Sequence, residues 1–312
     1  MSKTILVTGA TGKQGGAVIN ALLSQSIENF TILAVTRDAS STSAKELSAK
    51  SPDIKLVEGN LDDVPGLFEE AHGVAGEHIW GVYSVQVSMG KGVTFEGEVK
   101  QGRDLIDESV KTGVKHFVYS SVERGGDEKS WHNETPIPHF QSKCYIERHL
   151  RDVTASGNSG EDMGWTILRP VAFMDNLAPG FPTKVFLAAM RNWVGQKPVQ
   201  WVATSDIGVF AAKAFTAPHY WNRKAVGLAG DELTFDQLSE SFEKATGKPA
   251  PVAPWFFGSA LTYMVTELRL MIGWFASDGY RADIKARRKD HPGMLTLEQW
   301  LDKEGPFVTL GR

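Results

Sequence analysis

The chain has 312 residues, of which 42% are hydrophobic and 22% are charged, and its formal net charge at pH 7 is -4. This composition is typical of a soluble globular protein, and the acidic balance argues against a general affinity for nucleic acid or for anionic membranes. A small basic patch could still lie within this average. The single cysteine, Cys144, excludes an intrachain disulfide and favours a reducing compartment, so we expect a cytoplasmic or nuclear protein.

Short β-branched runs alternate with amphipathic helical patterns through the first half of the chain. This alternation is typical of a parallel sheet covered by helices on both faces, and it predicts an α/β, doubly wound Rossmann domain over residues 1–170. The predicted strands span residues 4–8, 30–36, 54–58, 80–86, 115–120 and 165–168, and the clearest helices span residues 14–23, 64–71 and 98–112.

The last third of the chain has few strand-like runs, and residues 206–217, 235–246 and 255–272 are predicted to be helical. We expect a smaller, mostly helical lobe over residues 171–312 that completes a cleft, with some strands returning to the sheet. Residues 255–277 are apolar enough to be considered as a membrane span. Glu267 and Arg269 would be costly at the middle of a bilayer, so a buried or partner-facing helix is favoured and no membrane association is expected.

Gly9, Gly12 and Gly15 form a GxxGxxG run between the first predicted strand and the first predicted helix. Glycine is needed where the backbone turns sharply, where it approaches a pyrophosphate and where a helix packs closely on a strand. The N-terminus of the following helix offers free N–H groups and the positive end of a dipole to phosphates. This context predicts a dinucleotide site at the loop.

The second predicted strand ends in Arg37, which is followed by Asp38. NAD-binding Rossmann domains usually place an acid about 20 residues beyond the glycines, where it binds the ribose 2′-hydroxyl. A guanidinium suits a 2′-phosphate instead, because it is permanently charged and can make two parallel hydrogen bonds. Lys13 could supply a second cation. We therefore predict NADP(H) rather than NAD(H) as the cofactor.

Four residues at the ends of the third and fourth predicted strands are candidates for contact with the dinucleotide. Asn60 and Leu61 lie where the adenine edge would be reached, and Gln86 and Val87 lie where the nicotinamide half would pass. The spacing alone does not separate these roles from ordinary strand-end chemistry.

Lys143 lies in a helix-like segment after the fifth predicted strand. Short-chain dehydrogenases carry a Tyr four residues before such a Lys, and that Tyr is the general acid. Here His139 takes the place of the Tyr, and Tyr145 lies on another helical face. Three interpretations stay open: Lys143 anchors the nicotinamide ribose, or it transfers a proton with help from His139 or a serine, or it forms a surface ion pair with Glu147.

Several distinct motifs are spread along nearly the whole chain. Through these motifs the chain resembles the NmrA-like proteins. These are atypical relatives of the short-chain dehydrogenases, and the similarity is greatest to the redox-sensor type. The motifs are the Gly9–Gly15 loop, Val-Thr-Arg at 35–37, Glu-Val-Lys-Gln-Gly at 98–102, His139-Phe140 with Lys143 and Glu147, Leu-Arg-Pro at 168–170, Phe-Met-Asp-Asn at 173–176 and Leu-Thr-Leu-Glu-Gln-Trp-Leu at 295–301.

The resemblance implies an NADP(H) site, and it allows a protein partner or self-association. The residues that it implies for the dinucleotide are Gly9, Thr11, Gly12, Lys13, Gln14 and Arg37, and those that it implies near the nicotinamide are Lys100, Lys143 and the segment from Phe173 to Asn176.

Members of the resembled family differ in what they do with the nucleotide. Some sense the NADPH/NADP⁺ balance by changing conformation or oligomeric state, whereas related branches that keep the Lys without the Tyr are reductases. We interpret the chain as an NADP(H)-binding redox sensor or regulator with weak or no turnover. The alternative is an NADPH-dependent reductase of a small carbonyl, enone or quinone. The eight His and one Cys show no zinc-ligand spacing, so no metal is expected.

Overall fold

The computed structural model describes residues 3–24, 30–90 and 92–307. Its strands are β1 (Lys3–Val7), β2 (Phe30–Thr36), β3 (Ile54–Glu58), β4 (Ile79–Ser84), β5 (His116–Ser120), β6 (Gly164–Pro170), β7 (Ala172–Phe173), β8 (Val199–Val202), β9 (Lys224–Leu228) and β10 (Asp231–Leu233). Its helices are α1 (Lys13–Ser24), α2 (Thr42–Ser48), α3 (Val64–Ala75), α4 (Phe95–Lys111), α5 (Asp127–Ser130), α6 (Pro138–Val153), α7 (Phe181–Trp193), α8 (Thr204–Thr216), α9 (Pro218–Trp221), α10 (Phe235–Thr246), α11 (Trp255–Met264), α12 (Thr266–Ser277), α13 (Ile284–Asp290) and α14 (Leu297–Lys303).

The larger sheet has seven strands in the order β3-β2-β1-β4-β5-β6-β9. Every neighbouring pair from β3 to β6 is parallel. The strand order reverses between β1 and β4, and open sheets of this kind bind ligands in the crevice at the carboxyl ends of the strands beside such a reversal. The doubly wound Rossmann fold predicted from the sequence is confirmed.

Apolar periodicity explains why these segments fold as they do. Ile5, Leu6 and Val7 of β1 are completely buried, as expected for a central parallel strand that is covered on both faces. Helix α1 begins at Lys13, directly after the glycine turn, and buries Val18 and Leu22 one turn apart. The sheet and α1 therefore fix the loop between them.

The chain divides into two compact units. The first contains Met1–Ser121, Ser142–Arg169 and Ile207–Val226, and it includes β1 to β5 with α1 to α4. The second contains Val122–Gln141, Pro170–Asp206 and Gly227–Arg312, and it includes a three-stranded sheet in the order β10-β8-β7. The domain boundary drawn from the sequence at residue 170 stays a prediction.

The long helix predicted over residues 255–272 is two helices in the structure. The backbone at Val265 is extended, with φ -113° and ψ 94°, and this residue separates α11 from α12. Within the described ranges, no helix is both long and apolar enough to cross a bilayer. The break therefore replaces one apolar segment with two shorter helices.

Candidate functional site

A cleft of about 610 Å³ opens at the carboxyl ends of β1 to β4 in the first unit. This volume falls within the range of small-molecule sites. Four segments supply most of its lining: the glycine loop, the end of β2, the loop after β3 and the segment from β4 into α4. The predicted residues that line it are Gly9, Thr11, Gly12, Arg37, Asn60, Leu61 and Val87.

The glycine loop has the geometry that its spacing predicts. Gly9 has φ +60°, a conformation that L side chains rarely adopt, and its carbonyl accepts a hydrogen bond from the Gly12 N–H at 2.9 Å. A Cβ at Gly15 would lie 2.3 Å from the Gly9 carbonyl oxygen, so no side chain fits there. Gly9 and Gly12 face the cleft, and Gly15 lets α1 pack against the turn.

The two charged residues after β2 have different roles. Arg37 is exposed and lines the cleft, and it forms no ion pair with any carboxylate that the structure describes. The Asp38 carboxylate instead accepts hydrogen bonds from the hydroxyl and the backbone N–H of Ser40, at 2.6 Å and 2.8 Å. These hydrogen bonds hold the pKa of Asp38 below its usual value. The cleft therefore presents a cation where an NAD site presents an acid.

The loop after β3 forms a polar rim that is tied to α4. Asn60 accepts a hydrogen bond from the Asp62 N–H at 2.7 Å, and Asp62 accepts one from the Gln101 amide at 2.7 Å. Gln101 also lines the cleft, although the sequence did not single it out. This network holds Asn60 and Leu61 at the cleft edge.

Gln86 and Val87 follow β4 but point differently. Val87 is 66% exposed and lines the cleft, whereas Gln86 is buried and donates to the Ser84 hydroxyl at 2.9 Å. The side-chain oxygen of Gln86 is buried and has no hydrogen-bond partner among the described residues. A buried acceptor without a donor is costly, but Gln86 is not among the residues that line the cleft.

Lys143 forms a buried ion pair with Glu98 of α4. The Lys143 ammonium lies 2.8 Å from Glu98 Oε1, and both side chains are at least nine-tenths buried. The same carboxylate accepts the hydroxyls of Ser88 at 2.8 Å and Ser142 at 2.6 Å. Burial alone would raise the pKa of Glu98, but the Lys143 charge and these hydrogen bonds outweigh burial and lower it.

Close helix packing brings this ion pair together. A Cβ at Gly102 would lie 2.4 Å from the Ile146 side chain, so α4 approaches α6 closely at that point. One turn earlier on each helix, Glu98 meets Ser142 and Lys143. Glu98 also lines the cleft, so Lys143 lies directly behind the cleft wall.

The surface ion pair considered between Lys143 and Glu147 is not the arrangement found. Glu147 is fully buried and binds the Arg169 guanidinium through two hydrogen bonds, at 3.0 Å and 2.8 Å. Lys143 is itself buried, and Glu98 is its partner. Residues four apart on α6 therefore serve two separate buried pairs.

Gln14 joins the first turn of α1 to the ends of β4 and β5. Its side-chain oxygen accepts the Ser120 hydroxyl at 2.6 Å and the Tyr83 hydroxyl at 3.5 Å. Complete burial raises the pKa of Tyr83 well above its usual value, so this phenol stays protonated. Gln14 thus orients the helix N-terminus rather than lining the cleft.

The remaining predicted residues lie away from this cleft lining or belong to the second unit. Lys13 is exposed at the start of α1, and Lys100 is exposed on α4, where it pairs with Asp104. His139 belongs to the second unit and lies 2.5 Å from Glu267. Phe173 is partly buried and Asn176 is exposed, and both lie in the second unit.

Glu98 is the main residue that the sequence reasoning missed. Helix α4 buries Glu98, Gly102, Leu105, Ile106 and Ser109, which share one face at helical spacing. A carboxylate on such a face needs a buried cation as its partner. That pattern was visible in the sequence, and it could have linked Glu98 to Lys143.

Comparison with known proteins gives the same fold and a family. The chain is 28% identical over 349 aligned positions to the NmrA-like family domain-containing oxidoreductase hkm9 of Aspergillus hancockii, covering 98% of each chain. The structure superposes on NmrA, a negative transcriptional regulator solved in complex with NADP, with a TM-score of 0.68, 20% identity and coverage of 98% of this chain and 96% of that one.

A second solved structure is equally similar. The NADPH-dependent quinone oxidoreductase QOR2 of Escherichia coli, complexed with NADPH, gives a TM-score of 0.70 and 21% identity, covering 96% of this chain and 98% of that one. The NmrA-like family itself matches residues 1–293, which is nearly the whole chain. The chain therefore belongs to the NmrA-like family.

Proposed function

We propose that this protein binds NADP(H) in the cleft of the first unit, with the 2′-phosphate on Arg37. The observation that carries the proposal is the pair of residues after β2. Arg37 lines the cleft and has no carboxylate partner among the residues that the structure describes, while Asp38 is held in its own turn by Ser40. A free guanidinium at this point favours a 2′-phosphate and leaves a ribose 2′-hydroxyl without its usual acceptor.

Two further observations support a dinucleotide in this cleft. The Gly9–Gly12 turn leaves the backbone open to a pyrophosphate, and α1 points its N-terminus at the same loop. The NmrA and QOR2 structures named above were solved with NADP and NADPH.

The role that we propose for this binding is redox sensing or regulation, with weak or no turnover. The Lys143 ammonium is fixed against the Glu98 carboxylate behind the cleft wall, which suits a residue that holds a ribose hydroxyl. The 2.8 Å contact with Glu98 holds the ammonium in one place, so its remaining N–H groups are offered to a ligand from a fixed position. The phenol of the standard mechanism is absent, since His139 takes its place.

A second candidate is an NADPH-dependent reductase of a small carbonyl, enone or quinone. The observation that favours it is His139, which lies 2.5 Å from the Glu267 carboxylate. The carboxylate orients the imidazole, and an oriented imidazole is a common proton donor in catalysis. Both hkm9 and QOR2 are named as oxidoreductases, which supports the same interpretation.

Calorimetric titration of NADPH and NADH against the wild type and Arg37→Ala tests the cofactor assignment. Charge-assisted hydrogen bonds contribute about 1.5–3 kcal/mol, so the variant should bind NADPH roughly ten- to a hundredfold more weakly. NADH affinity should stay nearly unchanged in the same variant. Equal affinity of the wild type for both nucleotides would refute the assignment.

A further inference from the structure

Helices α7 and α11 pack together in the second unit and expose many large apolar side chains. Of the eleven large hydrophobic residues that are exposed among the described side chains, eight lie on these two helices or at Val265. The most exposed of them, which we call the aromatic surface, are Phe181, Trp193, Trp255, Phe256, Tyr263 and Met264, each at least 50% exposed. Apolar patches of this kind usually mark an interaction site.

Direct contacts join the two helices into one surface. A Cβ at Gly258 would lie 2.6 Å from the Ala189 nitrogen, so the helices approach closely there. The Phe181 and Phe257 rings meet edge to face with centroids 5.3 Å apart. The Asn192 amide donates to the Trp255 carbonyl at 2.8 Å, which brings the end of α7 to the start of α11. The close packing of the α7 and α11 backbones therefore fixes the positions of the exposed rings.

The charge of this region is opposite to that of the chain. Residues 176–205 and 245–266 contain four basic side chains and no Asp or Glu, although the whole chain carries a net charge of -4. Lys184 and Arg191 of α7 are exposed and form no ion pair with a described carboxylate. The Lys184 carbonyl accepts the Ala253 N–H at 3.0 Å, which places the backbone of Lys184 beside the segment that leads into α11.

Although the composition of the whole chain predicts no membrane association, we propose that the aromatic surface docks on the face of an anionic lipid bilayer. Trp and Tyr side chains are suited to the headgroup level of a bilayer, because each has an apolar ring and a polar group that can stay in contact with water. Lys and Arg are attracted to acidic headgroups. Helix α11 has 10 residues and is about 15 Å long, half of the roughly 30 Å of a hydrocarbon core. It would lie in the interface without crossing it.

The shape of the surface favours a lipid phase over an acidic protein partner. Tyr263 and Met264 are 84% and 79% exposed, and they lie at the junction of α11 and α12. Side chains that protrude so far can enter a soft interface directly. A protein partner would need a matching pocket to bury them.

Vesicle sedimentation tests the proposal on the full chain. We expect binding to vesicles of phosphatidylcholine mixed with about one third phosphatidylserine, little binding to pure phosphatidylcholine, and weakening by added salt. Lys184→Glu with Arg191→Glu should weaken binding about thirtyfold from the loss of two cations alone. Tyr263→Ser with Met264→Ser should weaken it at least as much. Matched controls, Lys45→Glu with Lys115→Glu and the exposed Tyr220→Ser, should leave binding within about twofold.

Three outcomes would overturn the proposal. The first is the absence of binding to either vesicle, and the second is an equal loss of binding in the control variants. The third is a wild-type protein that binds no vesicles but self-associates on a sizing column, where the double variant Tyr263→Ser with Met264→Ser abolishes the self-association. The surface would then be a contact between copies of the chain. None of these outcomes depends on nucleotide binding, which is measured separately.

Discussion

The Glu98 carboxylate and the Lys143 ammonium lie 2.8 Å apart between α4 and α6, with side-chain exposures of 2% and 10%. Two hydroxyls, from Ser88 and Ser142, complete the hydrogen bonds of the carboxylate. A buried pair of this kind adds little net stability over an apolar pair, but loss of one partner leaves an uncompensated charge. The pair therefore fixes the position of Lys143 more than it stabilises the fold.

Glu98→Gln should destabilise the protein by about 3–5 kcal/mol, because Lys143 would stay buried without its counterion. The glutamine oxygen can still accept one of the two serine hydroxyls, and its NH2 group can donate to the oxygen of the other, so the loss mainly reports the charge. Urea unfolding followed by circular dichroism gives the free energy of unfolding.

The double variant Glu98→Gln with Lys143→Met is the control for this prediction. Removal of both charges should recover much of the lost stability, so the two substitutions should be strongly non-additive. If the single-variant losses simply add, the two side chains do not interact in solution as they do in the structure.

A substitution in the glycine turn should give a variant that folds but does not bind NADPH. Gly12 has no positive φ, and a Cβ there would lie 3.1 Å from the Gly9 carbonyl, which a small shift relieves. Gly12→Val should therefore fold and still block the approach of a pyrophosphate. Calorimetry should detect no NADPH binding to it. Gly73→Val, where nothing lies within 4 Å of the added Cβ, is the matched control and should bind normally.

His116 is a buried histidine at the start of β5. Its Nε2 lies 3.0 Å from the Thr166 hydroxyl, which donates its own proton to the Trp221 carbonyl, so Nε2 carries the imidazole proton. Burial, with a smaller contribution from the Lys3 charge, lowers the pKa of His116 to about 4. The folded protein therefore keeps this ring neutral where the unfolded chain would protonate it.

Acid should destabilise the protein through His116. Because its folded pKa is below its unfolded value near 6.5, its contribution is complete above pH ~6.5 and is lost as the pH falls toward 4. The loss amounts to about 3 kcal/mol over this window. His116→Gln keeps a donor for Thr166 and should flatten the pH dependence of the free energy of unfolding. The exposed His219→Gln should leave it unchanged, and an equal slope in wild type and His116→Gln would contradict the assignment.

The sequence predicted the parts of the site that depend on local backbone geometry. The glycine turn at Gly9 and the cation at Arg37 follow from short-range spacing, and both line the cleft. The phenylalanine–asparagine segment and Lys100 came from resemblance alone. Lys100 is exposed and paired with Asp104 on the same helix, so its place at a nicotinamide stays a prediction.

Contacts between helices were beyond the sequence reasoning. A lysine and a glutamate four residues apart suggested a pair on α6, yet Lys143 and Glu147 take partners from α4 and β6. Helical spacing places two side chains on one face, but it does not state what that face meets. Likewise, the apolar run at 255–272 gave no signal for the extended residue Val265, because tertiary packing determines such a break.

Single-turnover hydride transfer at saturating NADPH, over a panel of carbonyls and quinones, distinguishes the sensor from the reductase. In a sensor, wild type transfers no hydride at a useful rate, and Lys143→Met weakens NADPH binding only. Because that variant leaves Glu98 buried and unpaired, it is measured beside Glu98→Gln with Lys143→Met, which removes both charges. Weaker binding in both then reports the missing ammonium.

In a reductase, the same measurements give a different pattern. Wild type transfers hydride to some substrate, and His139→Ala lowers the rate by ~10²–10⁴-fold, the usual contribution of a general acid. Glu267→Gln, which keeps a hydrogen bond to the ring but removes the charge, should then lower the rate as well, because the Glu267 carboxylate orients the ring. We expect no such hydride transfer, because Lys143 is fixed by Glu98 and the phenol that donates the proton in the standard mechanism is replaced by His139. Both features suit a protein that binds NADPH without turning over a substrate. Robust transfer in wild type that is lost in both Lys143→Met and His139→Ala would establish the reductase instead.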